Sequence, residues 1–333
     1  MPSFPPNYFL NVVRHQFRSI PEPSTSYKDQ IVIVTGANHG IGFEAARSFA
    51  QLGASKVILA CRSSTKGEAA KKLIDSGLSL GPDIVEVWPL DLCSFESVKE
   101  FCRRASTLSR LDVVLANAAV LEYQLLQAPD AGGFERTIAT NVISTLLMAL
   151  LLLPKLRATA ARHNTTSRLT FVVSDAHCMA QFEERNEPKI FDYYKSTKGT
   201  EDRYATSKLL EVFLVRELAT RAKLSHPGTV FMNMANPGFC KPTTLFKTFP
   251  PWLQVSIDIF AFFFARSAQV GARTLLHAVD GGSESYGEYL ESGEVSVLSP
   301  YVVSNEGVEM QQKLWGELME ILEGIEPGVT KNI

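Results

Sequence analysis

The chain has 333 residues, 45% of them hydrophobic, with a formal net charge of −2. That length supports a large core without a disulfide or metal staple, and the near-neutral charge predicts no general pull toward nucleic acid or an acidic membrane. The five cysteines (Cys61, Cys93, Cys102, Cys178, Cys240) are odd in number and include no C-x-x-C pair, so neither a disulfide framework nor a metal site is expected.

In chain order, residues 1–28 read as an irregular arm, broken by Pro2, Pro5, Pro6, Pro21 and Pro23. Those prolines and Asn7 interrupt any signal-peptide pattern, so a cytoplasmic protein is expected. Residues 31–34 form a short β-branched run suited to a strand buried on both faces. Residues 44–52 follow with a helical stripe of Ile41, Ala45, Phe49 and Leu52, stopped by Gly53. The unit then repeats in kind: strands at 57–60, 84–87, 113–116, 169–173 and 230–234, helices at 67–74, 97–105, 140–153 and 204–221. Alternation of this sort implies an α/β fold, a doubly wound parallel sheet of Rossmann type with helices on both faces. The expected organisation is a single domain over 29–333, with a flap around 240–280 lying over the same core. Two very apolar stretches, 146–153 and 252–265, are each shorter than the roughly 20 residues of a spanning helix. Membrane contact through the second stays open.

Between the first strand and first helix lies Thr35-Gly36-Ala37-Asn38-His39-Gly40-Ile41-Gly42. A sharp strand-to-helix turn needs residues free of Cβ clashes, and a pyrophosphate binds where backbone N–H groups gather at a helix N-terminus. Gly36, Asn38, His39, Gly40, Ile41 and Gly42 are therefore expected to cradle phosphate, with His39 as the weakest member. The second strand speaks to cofactor type. An acid about 20 residues past the glycines would hold a ribose 2′-hydroxyl. Here the run is Leu59-Ala60-Cys61-Arg62-Ser63, without an acid. Arg62 supplies a fork suited to a 2′-phosphate, pointing to NADP(H); a solvated surface charge is the alternative.

Tyr204 and Lys208 stand at i and i+4, on one helix face. A lysine beside a phenol favours phenolate and draws the phenol toward a working pKa. The pair means little alone. With Asn117-Ala118-Ala119, Asn141, Ser174 and Pro237-Gly238 in order along the chain, the sequence resembles the short-chain dehydrogenase/reductase family over about 29–300. It looks most similar to the retinol-dehydrogenase-like branch and its fungal members, through Ala60-Cys61-Arg62, Ser174-Asp175-Ala176-His177 and a long insertion before Tyr204.

That resemblance implies roles. Tyr204 would be the acid–base, Lys208 its tuner and a ligand of the nicotinamide ribose, Ser174 the holder of the substrate oxygen, and Asn141 the anchor of a water relay. Asp91 and the Leu92 backbone would bind adenine. Asn117 and Ala118 would line the adenosine side, and Pro237 and Gly238 would border the nicotinamide. The chain departs from the family at Ala119, where glycine is usual, and at Pro242, which leaves Thr243 or the backbone to meet the carboxamide. The charged insertion 175–203 is expected to wall the substrate mouth. The run from Phe246 to Phe264, with Phe249, Trp252, Leu253, Ile257, Phe260, Phe262 and Phe263 between them, suits a bulky lipophilic carbonyl or alcohol, with core packing or self-association as the plainer reading. The expected function is NADP(H)-dependent interconversion of a ketone or aldehyde and an alcohol, in fungal secondary metabolism by resemblance. A non-redox cyclase or epimerase on the same scaffold is the alternative, and a homodimer is an open possibility.

Overall fold

The computed structural model describes residues 2–79, 81, 83–196, 202–225, 230–241, 243 and 245–333. Its centre is an eight-stranded sheet. The strands are β1 (Ile31–Thr35), β2 (Lys56–Cys61), β3 (Val85–Pro89), β4 (Val113–Ala116), β5 (Ser167–Val172), β6 (Val230–Asn236), β7 (Tyr289–Glu291) and β8 (Glu294–Val295). Their spatial order is β8-β7-β6-β5-β4-β1-β2-β3, parallel throughout except for the antiparallel β7–β8 hairpin at one edge. β1 and β4 are buried along their whole length, which is why they read as unbroken apolar runs.

The helices are α1 (Tyr8–Gln16), α2 (Gly40–Gln51), α3 (Ser64–Leu78), α4 (Phe95–Ser106), α5 (Arg136–His163), α6 (Arg203–Ser225), α7 (Pro251–Phe264), α8 (Ala268–Val279) and α9 (Asn305–Ile325). One apolar cluster joins α4, α5, α6 and α9 to one sheet face. A second joins α2, α3 and α8 to the other. The two layers confirm the doubly wound arrangement. All six expected strands are present, and β7 and β8 extend the sheet beyond them.

Three expectations change. The arm is not wholly irregular: between its two proline groups the chain forms α1, a nine-residue helix. Prolines bar helix only locally, and residues 8–16 contain none. The apolar 146–153 stretch belongs to a 28-residue helix long enough to cross a membrane, but 89% of its most apolar window is buried in the protein. It is a core helix. The insertion 175–203 is also less of a charged wall than its composition suggests. Phe182, Ile190, Phe191 and Tyr194 are fully buried, and Glu184 forms a buried ion pair with Arg203 at 2.6 Å. Its described part leans on α9, through Lys189–Glu320 and through the Phe191 N–H donated to Glu317. Apolar residues scattered among charges anchored it inward.

Candidate active site

The candidate site lies along the carboxyl ends of the parallel strands, where β1 and β4 are neighbours although β2 and β3 lie to one side and β5 to the other. This is the crevice at which open α/β sheets bind ligands. β1 ends at Thr35, and Gly36 follows with φ of 66°. Thr35 Oγ1 accepts hydrogen bonds from the N–H groups of Asn117 (2.9 Å) and Ala118 (2.8 Å). Asn117 Nδ2 donates back to the Thr35 carbonyl at 2.8 Å. The glycine loop and the Asn117 loop are thus laced into one floor. Gly42 is required by close packing: a Cβ there would stand 2.5 Å from Asn117 Nδ2 and 2.7 Å from the Gly36 oxygen. This cradle, opening onto the N-terminus of α2, fits a pyrophosphate. His39 is the N-cap residue of α2, without a side-chain cap bond, and Asn38 and Ile41 flank the same turn.

β1 and β2 pair with Thr35 opposite Ala60, and Gly36 N donates to the Ala60 carbonyl at 2.8 Å. Arg62 therefore leaves the sheet beside the glycine loop. It is exposed and has no ion-pair or hydrogen-bond partner among the described residues. Ser63 is occupied as the N-cap of α3, accepting from Lys66 N. Asp91, after β3, accepts from Cys93 N at 2.9 Å and gives its own N–H to Ser97 Oγ at 3.0 Å, while Leu92 is buried. These contacts order the loop expected to meet adenine.

The polar cluster forms where α6 begins beneath the end of β5. Ser174 Oγ donates to Asp175 Oδ1 (3.1 Å), accepts from Ala176 N (3.2 Å), and lies near enough to the Tyr204 phenol to favour its ionised form. Lys208 lies on the Tyr204 face, its Nζ 5.9 Å from the ring centre. That ammonium donates to the Val172 carbonyl and to Glu211 Oε2, each at 2.8 Å. The side chains of Lys208 and Glu211 are 3% and 2% exposed. Burial of this depth shifts every member. It pushes the Tyr204 phenol up; Lys208 pulls it down, Glu211 pushes it up again, Ser174 lowers it, and the net direction is up. The lowering expected from Lys208 is present but outweighed. Burial also pulls Lys208 down, but the Glu211 carboxylate and Tyr204 outweigh it and hold the ammonium above its ordinary value.

Glu211 escaped the sequence reading. The available signal was an acid three residues past Lys208 on a helix face continued by Leu214 and Val215, both fully buried. Asn141 sits on a π-helical turn, Ala139–Ser144. Its amide donates to the Val120 carbonyl (2.9 Å) and to Ser207 Oγ (3.0 Å), and its Oδ1 accepts from Val120 N (2.9 Å). The side chain ties the segment after β4 to α6. His177 is structural: Nδ1 faces the Ser174 carbonyl at 2.7 Å and Nε2 accepts from Ser299 N at 3.2 Å. It braces the segment that presents Ser174.

Beyond β6, Gly238 takes φ of 77°, and its N–H donates to Asn236 Oδ1 at 3.1 Å. Gln16 of α1 reaches this turn. Its Nε2 donates to the carbonyls of Phe239 and Phe264, each at 2.8 Å, and its Oε1 accepts from Phe239 N at 3.0 Å. Arg266, buried, donates to the Gln16 carbonyl at 2.9 Å and to the Pro237 carbonyl at 3.4 Å. The arm thus clasps the Pro237–Gly238 loop, a role the sequence did not reveal. Thr243 Oγ1 accepts locally from Leu245 N at 3.1 Å. Pro242 lies outside the described residues.

A family model for short chain dehydrogenases matches residues 30–183. The chain is 39% identical to the short chain dehydrogenase/reductase dmxR8 of Cryptosporiopsis sp. over 95% of this chain and 97% of that one. It is 39% identical to the short chain dehydrogenase atnD of Emericella nidulans over 85% and 90% of the two chains. Among solved structures, a short chain dehydrogenase from Shigella flexneri complexed with NADP superposes with a TM-score of 0.56 at 21% identity, over 82% of this chain and all (100%) of that one. A short-chain type dehydrogenase/reductase from Mycobacterium marinum gives 0.60 at 18% identity, over 80% and 96%. The fold, the ordered motifs and these relatives together place the chain in the short-chain dehydrogenase/reductase family, as an oxidoreductase acting on CH–OH or C=O groups.

Proposed function

We propose that the protein interconverts a ketone or aldehyde and an alcohol on a bulky lipophilic small molecule, using NADP(H), within fungal secondary metabolism. The observation that carries this reading is the Ser174–Tyr204–Lys208 cluster at the end of β5, two strands from a glycine cradle built for pyrophosphate. A bound nicotinamide cofactor supplies the hydride chemistry. Gly36, Asn38, Gly40, Ile41 and Gly42 would hold its phosphates, with Asp91, Asn117 and Ala118 along the adenosine and Pro237, Gly238 and Thr243 by the nicotinamide. Unpartnered Arg62, with no acid at the end of β2, supports a 2′-phosphate. The NADP in the Shigella relative agrees.

In the reducing direction Ser174 holds the substrate oxygen and Tyr204 donates its proton to it. Burial that raises the phenol keeps the proton in place until the oxygen takes up charge. Lys208 has three N–H donors, two of them spent on Val172 and Glu211, which leaves one for the cofactor ribose. Glu211 keeps the buried ammonium charged. The lipophilic substrate class rests on rings that meet beside Gly238: Phe239 with Phe246 at 6.3 Å, Phe246 with Phe249 at 5.5 Å, and Phe249 with Tyr123 at 5.2 Å. Retention of Ser174, Tyr204 and Lys208 together weighs against the non-redox alternative. Titration with NADPH and NADH tests the reading. Tight NADPH binding, weakened by Arg62→Ala and kept by Tyr204→Phe, supports it; binding of neither cofactor overturns it.

A further inference from the structure

Helices on a protein surface ordinarily turn apolar residues inward. α1 and α7 do the reverse. On α1 the half-buried positions are Tyr8, Asn11, Val12, His15 and Gln16, while Phe9, Leu10 and Val13 face out, with Phe17 just beyond its end. Its polar groups are spent inside: Tyr8 on the Asp175 carbonyl, Gln16 on Phe239 and Phe264. On α7 only Ala261 is buried, and the outward side carries Trp252, Val255, Ile259, Phe260, Phe262 and Phe263. Phe262 is 83% exposed, Phe9 71% and Trp252 67%. The one acid of α7, Asp258, is paired with Lys241. The two helices are neighbours: the Phe17 and Phe264 rings stand 6.2 Å apart. Their outward residues therefore form one continuous apolar surface beside the Pro237–Gly238 loop.

Among the described residues, the acids beside this surface, Asp258 and Glu294, are each paired, and the charge left over is basic. Residues 2–21 contain Arg14 and Arg18 and no acid. Arg18 pairs with Glu294, whereas Arg14 and Lys247, both exposed, have no ion-pair partner among the described residues. Apolar side chains rimmed by basic groups, with a tryptophan at one end, are the composition of helices that lie in a membrane interface. α7, at 14 residues, is too short to span.

We infer that the outward face of α1 and α7 docks on an anionic lipid bilayer, placing the active-site mouth at the membrane surface. Docking stands on the two inverted helices; that a lipophilic substrate enters from the lipid rests also on the function proposed above. The experiment is cosedimentation of the full chain with phosphatidylcholine vesicles, with and without phosphatidylserine. Sedimentation velocity without vesicles and NADPH binding are measured in parallel. Binding is expected to require phosphatidylserine and to weaken at high salt. Phe262→Ser/Phe263→Ser, and separately Phe9→Ser/Leu10→Ser, should each lower vesicle partitioning at least about tenfold while NADPH binding persists. Arg14→Glu/Lys247→Glu should remove the phosphatidylserine dependence. Absence of vesicle binding, or binding indifferent to both serine pairs, overturns the inference. So does a concentration-dependent dimer that these serine pairs dissolve, because the face is then covered by a second copy. Loss of NADPH binding by the unaltered chain overturns the functional reading alone, since vesicle binding is read independently.

Discussion

The sheet core and the cap formed by α1 and α7 obey the same hydrophobic rule with opposite outcomes. In the core, β1 and β4 are buried end to end and even Lys208 and Glu211 are buried as a pair. In the cap, Gln16 and Tyr8 turn inward to hydrogen-bond while Phe262 and Phe9 face out. The difference teaches that inward and outward are set by what surrounds each element. A buried charge persists where a partner satisfies it, and an exposed phenylalanine persists where the surroundings are expected to be apolar.

The largest effect should come from the core. Tyr204→Phe removes the proton donor and should lower turnover about 10²–10⁴-fold, with cofactor affinity unchanged, as single-turnover kinetics will read. A small effect would mean that the buried cluster is structural. Glu211→Gln strips Lys208 of its counter-charge, and breaking a buried pair costs about 3–5 kcal/mol, measurable by denaturant titration. It also sharpens the chemistry. The Glu211 carboxylate raises the Tyr204 phenol, so its removal lowers it. Oxidation needs the phenolate, and its rate should therefore begin to rise at lower pH in the variant. An unmoved pH profile would separate Glu211 from catalysis.

Arg62→Ala should weaken NADPH binding by about 1.5–3 kcal/mol, the range for a hydrogen bond to a charged group, and leave NADH binding alone. Equal losses for both cofactors would return Arg62 to the status of a surface charge. The smallest effect belongs to His177. Burial lowers its pKa below the usual 6.5, so the folded state binds the proton less readily than the unfolded state. The stability it contributes is present above that ordinary value and is lost as pH falls through the lowered one. His177→Gln should flatten that acid limb in thermal melts, whereas an unchanged limb would place its origin in another group.

The glycine turn was legible because its signals are local. The glycines from Gly36 to Gly42 answer to a turn, a positive φ and a close approach, all within one strand-to-helix unit. The Tyr204–Lys208 spacing answers to a single helix face. Glu211 was missed because i+3 acids are common on exposed helix faces, and only the packing of α6 shows that this one is buried. The arm was missed for a related reason. Its prolines were visible, but the partners of Gln16 lie more than two hundred residues away, at Phe239 and Phe264.

By itself, the amino-acid sequence determined the βα alternation, the glycine turn and the order of the candidate site residues, since each depends on backbone sterics and periodicity within a few dozen residues. Tertiary structure alone decided the rest. It paired Lys208 with Glu211 under a desolvated phenol, spent the Asn141 amide on Val120 and Ser207, and turned α1 and α7 inside out across the mouth. Those outcomes depend on which distant groups share a dielectric environment and compete for the same hydrogen bonds, and that is decided only when the chain closes on itself.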